Sequence, residues 1–260
     1  MIRGGKVIGE GGQGCIISPE IYSKDSDYVT KIAKEKDATG DFEISKALFK
    51  LDPNEKYGVY YRGLKKCKVT RVDLENEKIV ADPDGRRCAQ IASRIDNEKF
   101  CSITMPRFSQ DLTQPLPYLN ASDSTKFIRH IWSCVAFLHH NDFIHGDIKL
   151  ENMALYKGHP AFFDWGWSFK INNDKIIDKV FNTFSKDTYW CPLLQKKPVE
   201  HPKKALLFFN DVYLTAKAII KLSQKFAIKD MYLIKMKNIM SNQSFFCEKT
   251  VDQIIDYIFV

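Results

Sequence analysis

The chain has 260 residues, of which 44% are apolar, 39 basic and 32 acidic, for a net charge of +7. This length and apolar content suit a globular protein of one domain, or of two lobes sharing a cleft. No apolar run approaches the roughly 20 residues that span a bilayer, and no basic run is long enough for a nucleic-acid-binding arm. The excess charge therefore reads as a solvated, lysine-rich surface with a general bias toward acidic partners.

In chain order, the first third alternates short apolar runs with Gly and Asp-Gly punctuation, a pattern of strands and turns. Residues 6–8 and 15–17 read as strands on either side of a glycine cluster, and residues 28–32 as a third. The apolar spacing of residues 42–51 predicts a short amphipathic helix. Residues 57–104 read as further strands, with a charged excursion at Asp82-Pro83-Asp84-Gly85. From residue 122 the character changes. Apolar residues at 127, 128, 131, 135 and 138 predict a helix over 122–140, with Ser122 or Asp123 as N-cap. A second helix is predicted over 211–222. The boundary between a small β-rich part and a helical part falls at Met105-Pro106-Arg107-Phe108.

The seven cysteines, Cys15, Cys67, Cys88, Cys101, Cys134, Cys191 and Cys247, contain no Cys-x-x-Cys pair. That argues against a zinc site, and their scatter through apolar stretches reads as free thiols in a reducing compartment. The segment after Met1 lacks the apolar stretch of a secretory signal, so the expected location is the cytoplasm, the nucleus or a packaged particle.

Chemistry concentrates in four places. Gly9-Glu10-Gly11-Gly12-Gln13-Gly14 places glycines at the spacing G-x-G-x-x-G, with Ile16 beyond. Glycine lets backbone approach phosphate oxygens without a Cβ clash. Alone the pattern fits a dinucleotide fingerprint or a flexible turn. A dinucleotide site needs a helix after the glycines, whereas residues 15–17 read as a strand, which favours a glycine hairpin lying over a nucleotide. Lys31 lies in an apolar strand, where an ammonium is costly unless it meets anions. Glu43, on the predicted helix, is its expected partner; Glu35 and Glu55 are rivals outside a good helical pattern. The third segment is His145-Gly146-Asp147-Ile148-Lys149-Leu150-Glu151-Asn152, and the fourth Phe162-Phe163-Asp164-Trp165-Gly166. Together they offer a carboxylate to orient a hydroxyl (Asp147), a cation for a moving phosphoryl group (Lys149) and two oxygen donors for a hard divalent ion (Asn152 and Asp164).

With these motifs in this order, the chain resembles the protein-kinase superfamily over essentially its whole length, and its compact form resembles the Ser/Thr kinases of large DNA viruses. The resemblance implies an α+β, bilobal fold: a small antiparallel sheet with one helix up to residue 105, then a mainly helical lobe with abbreviated late helices. It also implies ATP with Mg2+, or Mn2+ in its place, and protein substrates, with no direct nucleic-acid role. Gly9, Glu10, Gly11, Gly12, Gln13, Gly14, Ile16 and Val29 are expected around the nucleotide. Lys31 and Glu43 are expected to form an ion pair, Met105 to act as gatekeeper, and Arg107 and Phe108 to belong to the hinge. Asp147 is the expected base, Lys149 the phosphate-stabilising lysine, and Asn152 and Asp164 the metal ligands. Asp211 resembles an aspartate that braces the catalytic loop; the alternative is a simple N-cap.

The chain departs from the family pattern at several points. Gly146 stands where an arginine usually couples the loop to an activating phosphate, so no activation phosphorylation is expected. Trp165 replaces a phenylalanine and is expected to stack toward His145 and fill space beside the small Ala47. Leu193 stands where a glutamate is usual. The threonine that normally follows the activation segment is not clearly placed, with Thr183, Ser185 and Thr188 all nearby. Two rival readings stay open: a small-molecule phosphotransferase of the aminoglycoside or choline kinase type, and a non-catalytic pseudokinase scaffold.

Overall fold

The computed structural model describes residues 6–11, 14–21, 25–65, 69, 86–95, 97–108, 110–114, 121–186, 189–195, 201–225 and 228–260. The chain mixes helix and strand, with a small antiparallel sheet and several helices. It divides into two compact units, Met1–Glu55 with Val59–Arg107, and Lys56–Gly58 with Phe108–Val260.

The first unit is built on five strands: β1 (Lys6–Gly11), β2 (Gly14–Ser18), β3 (Tyr28–Lys34), β4 (Gly63–Lys65) and β5 (Phe100–Pro106). They form one antiparallel sheet in the order β1-β2-β3-β5-β4. The central strand β3 is buried from Val29 to Ala33 and pairs on both sides. Side chains alternate across a strand. The register therefore puts Ile16, opposite Lys31, and Met105, opposite Val29, on the face that carries Lys31. On the other face Cys15, Ile17 and Ile32 join Cys88 and Ile91 in the core. Gly14 is required by close approach: a Cβ there would lie 2.2 Å from the carbonyl oxygen of Ile32.

Two helices of this unit lie among the described residues. Helix α1 (Glu35–Leu51) starts directly after β3, earlier than the apolar pattern of 42–51 predicts. Its buried face is Ala38, Asp41, Ser45 and Leu48, a helical spacing that an apolar count misses because two of the four are polar. Helix α2 (Arg86–Arg94) replaces strand in part of the 57–104 region. The expectation of free thiols is overturned at two positions: Cys15 of β2 and Cys88 of α2, both fully buried, form a disulfide. Cys101, Cys134, Cys191 and Cys247 are free and buried. Cys67, Asp82, Pro83, Asp84 and Gly85 lie outside the described residues.

In the second unit, strands β6 (Gln110–Asp111), β8 (Met153–Tyr156) and β9 (His159–Phe162) form a small sheet, and β7 (Phe143–Ile144) pairs with β10 (Phe169–Lys170). Lys157 and Gly158 both have positive φ, the backbone of a two-residue type I′ turn. That turn closes the β8–β9 hairpin and pairs Met153 with Phe162 at its open end. The helices are α3 (Ala121–His140), α4 (Asp174–Phe184), α5 (Lys203–Leu222), α6 (Asp230–Ser241), α7 (Gln243–Cys247) and α8 (Val251–Phe259). Thr250 and Gln253 close α8 with a capping box. Two cap expectations fail. Ser122 and Asp123 lie inside the first turn of α3, and Asp211 lies in the interior of α5, fully buried. Among the described residues, no helix is long and apolar enough to cross a membrane.

Candidate active site

The loop between β7 and β8 and the open end of the β8–β9 hairpin bring Asp147, Lys149, Asn152 and Asp164 into one neighbourhood. Asp147 Oδ2 accepts from Lys149 Nζ at 2.7 Å and from Asn152 Nδ2 at 2.8 Å. The same Asn152 nitrogen donates to the Asp147 carbonyl at 2.9 Å, which leaves its amide oxygen without a hydrogen bond among the described residues. The Phe163 amide donates to the Asn152 carbonyl at 3.1 Å, so Asp164 follows directly on a residue tied to Asn152. Asp164 has φ 62 and ψ 79, the left-handed region. A non-glycine residue held there stores about 1–3 kcal/mol, offset by packing on both sides: Phe163 is 8% exposed and Trp165 1%.

Buried hydrogen bonds fix this loop from behind. Asp211 accepts from the amides of His145 at 2.7 Å and Gly146 at 2.9 Å, each a charge-assisted bond that contributes about 1.5–3 kcal/mol. The bracing role expected of Asp211 is thus what the geometry performs, from mid-helix rather than from a cap. His145 Nδ1 accepts from the Asp147 amide at 3.4 Å, so Nε2 carries the proton and donates to the Phe163 carbonyl at 3.2 Å. Its ring lies 5.2 Å from that of Trp165, as expected for Trp165. One buried imidazole therefore orients both the backbone of Asp147 and the residue before Asp164. Ser168 donates to the His145 carbonyl at 3.0 Å, and Trp190 Nε1 to the Gly146 carbonyl at 2.6 Å.

Gly146 is dictated by space. Its φ is +77, and a Cβ would lie 2.4 Å from the Trp167 carbonyl oxygen and 2.7 Å from the Phe184 ring. No other side chain fits without displacing backbone.

Tyr189 is a site residue that the sequence did not single out. Its phenol is hydrogen-bonded to Asp147, and burial, then the Asp147 charge and that bond, hold its pKa well above the usual phenol value. Lys149 Nζ lies 5.8 Å from the centre of its ring and Lys217 Nζ 5.5 Å. Asp147 thus has three side-chain donors, which fix its rotamer and leave room on a carboxylate for one more. The Thr183 hydroxyl donates to the Lys179 carbonyl of its own helix, and Thr188 lies outside the described residues.

In the first unit, Lys31 is 7% exposed. Its Nζ donates to Asp41 Oδ2 at 2.8 Å and to the Tyr61 hydroxyl at 3.4 Å. The expected pairing with Glu43 is corrected: Glu43 is exposed, and Asp41, on the buried face of α1, is the partner. One turn after Asp41 comes Ser45, whose hydroxyl accepts from the Tyr61 amide at 2.7 Å; Ala47 is only half-buried. Glu35 begins α1, and Glu55 pairs with Arg62 at 2.7 Å.

Gly9, Glu10 and Gly11 belong to β1, and Gly11 faces Gly14 across the hairpin; Gly12 and Gln13 lie outside the described residues. A strand follows these glycines, which removes the dinucleotide fingerprint. Val29 and Met105 are buried and Ile16 is half-buried. Arg107 is exposed and donates its amide to the Asp27 carbonyl at 2.8 Å. Phe108 belongs to the second unit, where its ring lies 4.6 Å from Phe163.

Chemically, the second unit presents the Asp147 carboxylate with the Lys149 ammonium and the Asn152 amide beside it, and Asp164 follows the residue tied to Asn152. Among the described residues, no three His, Cys, Asp or Glu side chains gather as an all-protein metal cage. Asn152 and Asp164 could supply two oxygen donors, a set that would suit a cation keeping most of its waters. No protein-family model matches the chain, and no curated protein matches it.

Proposed function

We propose that the chain is an ATP-dependent Ser/Thr protein kinase, in which Asp147 orients the hydroxyl of a protein substrate for attack on the γ-phosphate. The observation that carries this is the Asp147–Lys149–Asn152 network, with Asp164 one residue beyond the amide bonded to Asn152. Phosphoryl transfer asks the protein for positioning and charge complementarity more than for covalent chemistry. Here Asp147 is held by fixed donors, its remaining lone pair is available to a hydroxyl proton, and Lys149 places a cation beside the transferring group.

Asn152 and Asp164 are the residues that hold the divalent cation, Mg2+ or Mn2+. When bound, Mg-ATP supplies the phosphoryl group and neutralises charge as it moves. Lys31, fixed by Asp41 rather than Glu43, is the cation suited to the remaining phosphates, on the sheet face that also carries Ile16, Val29 and Met105. The exclusion of any side chain at Gly146 removes the arginine that would read an activation-segment phosphate. Phosphatase-treated protein, made in cells lacking other kinases, is therefore expected to be fully active.

The test is transfer of radiolabelled γ-phosphate to casein and myelin basic protein, run beside aminoglycosides and choline. Label on Ser or Thr of the proteins is expected. Label on the small alcohols alone points to the small-molecule phosphotransferase, and nucleotide binding without any transfer points to a scaffold; either result contradicts the proposal.

A further inference from the structure

Away from the 145–152 loop, the second unit has a half-open cavity of about 540 Å³ where the end of α3, the start of α5 and the α7–α8 turn meet. That volume is typical of small-molecule sites, roughly 300–1,000 Å³. Phe208, Phe209, Val212 and Ile254 form much of its wall. Two imidazoles also line it, His139 with its side chain 6% exposed and His201 with 11%. The Nε2 atom of each is buried and has no hydrogen-bond partner among the described residues. Leaving such an atom unpaired in an apolar wall costs about 1–3 kcal/mol, so a ring nitrogen not faced by a protein group invites a partner from inside the cavity.

The neighbours of the rings fix what that partner must offer. His201 Nδ1 lies 3.5 Å from Glu248 Oε1. A carboxylate only accepts, so Nδ1 carries the proton and Nε2 is a bare acceptor. His139 Nε2 lies 3.6 Å from Asp211 Oδ2, beyond hydrogen-bond reach, and that carboxylate already takes the amides of His145 and Gly146. Facing that carboxylate, His139 Nε2 carries its proton toward Asp211 rather than into the cavity. His140, the third imidazole of the wall, is already paired with Asp252 at 2.7 Å. The Cys247 thiol is pushed up to about 11 by burial, then by the charge of Glu248, so it stays protonated and adds no charge. His201 Nε2, a bare acceptor beside the apolar wall, complements a group that donates, such as a hydroxyl, while Glu248, Lys249, Thr250 and Asp252 supply a polar part of the lining.

We propose that this cavity is a binding site for a small apolar alcohol or phenol, whose carbon skeleton packs on Phe208, Phe209, Val212 and Ile254 and whose hydroxyl donates to His201 Nε2. The site stands on the cavity and His201 alone, independently of the role given to Asp147.

The experiment is calorimetric titration of the full chain with 2-naphthol, naphthalene and 2-naphthoate. Saturable binding of 2-naphthol is expected, with naphthalene at least about tenfold weaker, the scale of one buried hydrogen bond. His201→Phe should weaken 2-naphthol about tenfold and leave naphthalene unchanged. Ala205→Leu, which narrows the cavity at a lining residue, should weaken both. A wild-type crystal soaked with 6-bromo-2-naphthol locates the ligand with no substitution at all. The proposal is overturned by absence of saturable binding, by equal affinity for 2-naphthol and naphthalene, by preference for the naphthoate, by unchanged affinity in a folded His201→Phe protein, or by bromine density outside this cavity.

Discussion

Two lysine–aspartate pairs in this chain have almost the same length and opposite surroundings. Lys31–Asp41 spans 2.8 Å with side chains 8% and 2% exposed, whereas Lys149–Asp147 spans 2.7 Å with side chains 38% and 12% exposed. The first is a closed pair inside the first unit, its lysine further tied to Tyr61. The second opens toward solvent, and its carboxylate also receives Asn152 and Tyr189. Distance alone would rank them equal. Burial separates them: a charge left alone in a dry interior is expensive, while a half-exposed lysine is rescued by water. The first pair therefore holds its lysine still, and the second leaves its lysine open to solvent.

The sharpest way to break this contrast is to remove one acid from each side of helix α1. Asp41→Ala leaves Lys31 buried and uncompensated and should cost about 3–5 kcal/mol of stability in chemical denaturation. Glu43→Ala, on the exposed side, should stay within about 0.5 kcal/mol. The reverse ranking would restore Glu43 as the partner. Next in size, Gly146→Ala should cost about 1–2 kcal/mol from the left-handed backbone alone, with the overlap on Trp167 and Phe184 adding to it. Its thermal melt should fall well below that of wild type, and an unchanged melt would remove the spatial argument for that glycine. Lys149→Met, by contrast, should lower stability by no more than about 1 kcal/mol, as for other exposed pairs.

For Tyr189→Phe, up to about tenfold loss of turnover is expected, the scale of one hydrogen bond. Its pH profile is the discriminating readout. The folded phenol has a raised pKa. Its contribution is fully present below the ordinary phenol value of ~10 and is lost only as pH rises through the higher folded value. An alkaline limb seen in wild type and missing in Tyr189→Phe would assign that limb to the phenol; identical limbs would free Asp147 from it.

These contrasts also show what the sequence could reveal. Asp147, Lys149 and Asn152 lie within six residues, so local spacing places them together whatever the rest of the chain does. Asp164 was legible because it follows the second strand of a hairpin whose first strand begins after Asn152. The strand at Cys15-Ile16-Ile17 was legible from its apolar run. Asp41 was not, because an apolar pattern starts a helix at its first hydrophobic residue, and α1 instead buries Ala38, Asp41, Ser45 and Leu48. A search for helical spacing among small and polar residues would have found that face. Helix α2 hid because its sequence is rich in arginine and poor in large apolar residues. The Cys15–Cys88 bridge joins residues 73 apart, and Tyr189 reaches a carboxylate 42 positions earlier. Long-range pairings of this kind leave no periodic trace.

The role of Asp147 is tested most directly by Asp147→Asn, which keeps the shape of the side chain and its bonds to neighbouring donors in part while removing the charge. Turnover in the phosphate-transfer assay should fall by about 10²–10⁴-fold, with a thermal melt within a few degrees of wild type. Near-normal turnover in that variant, with its fold intact, would contradict the account.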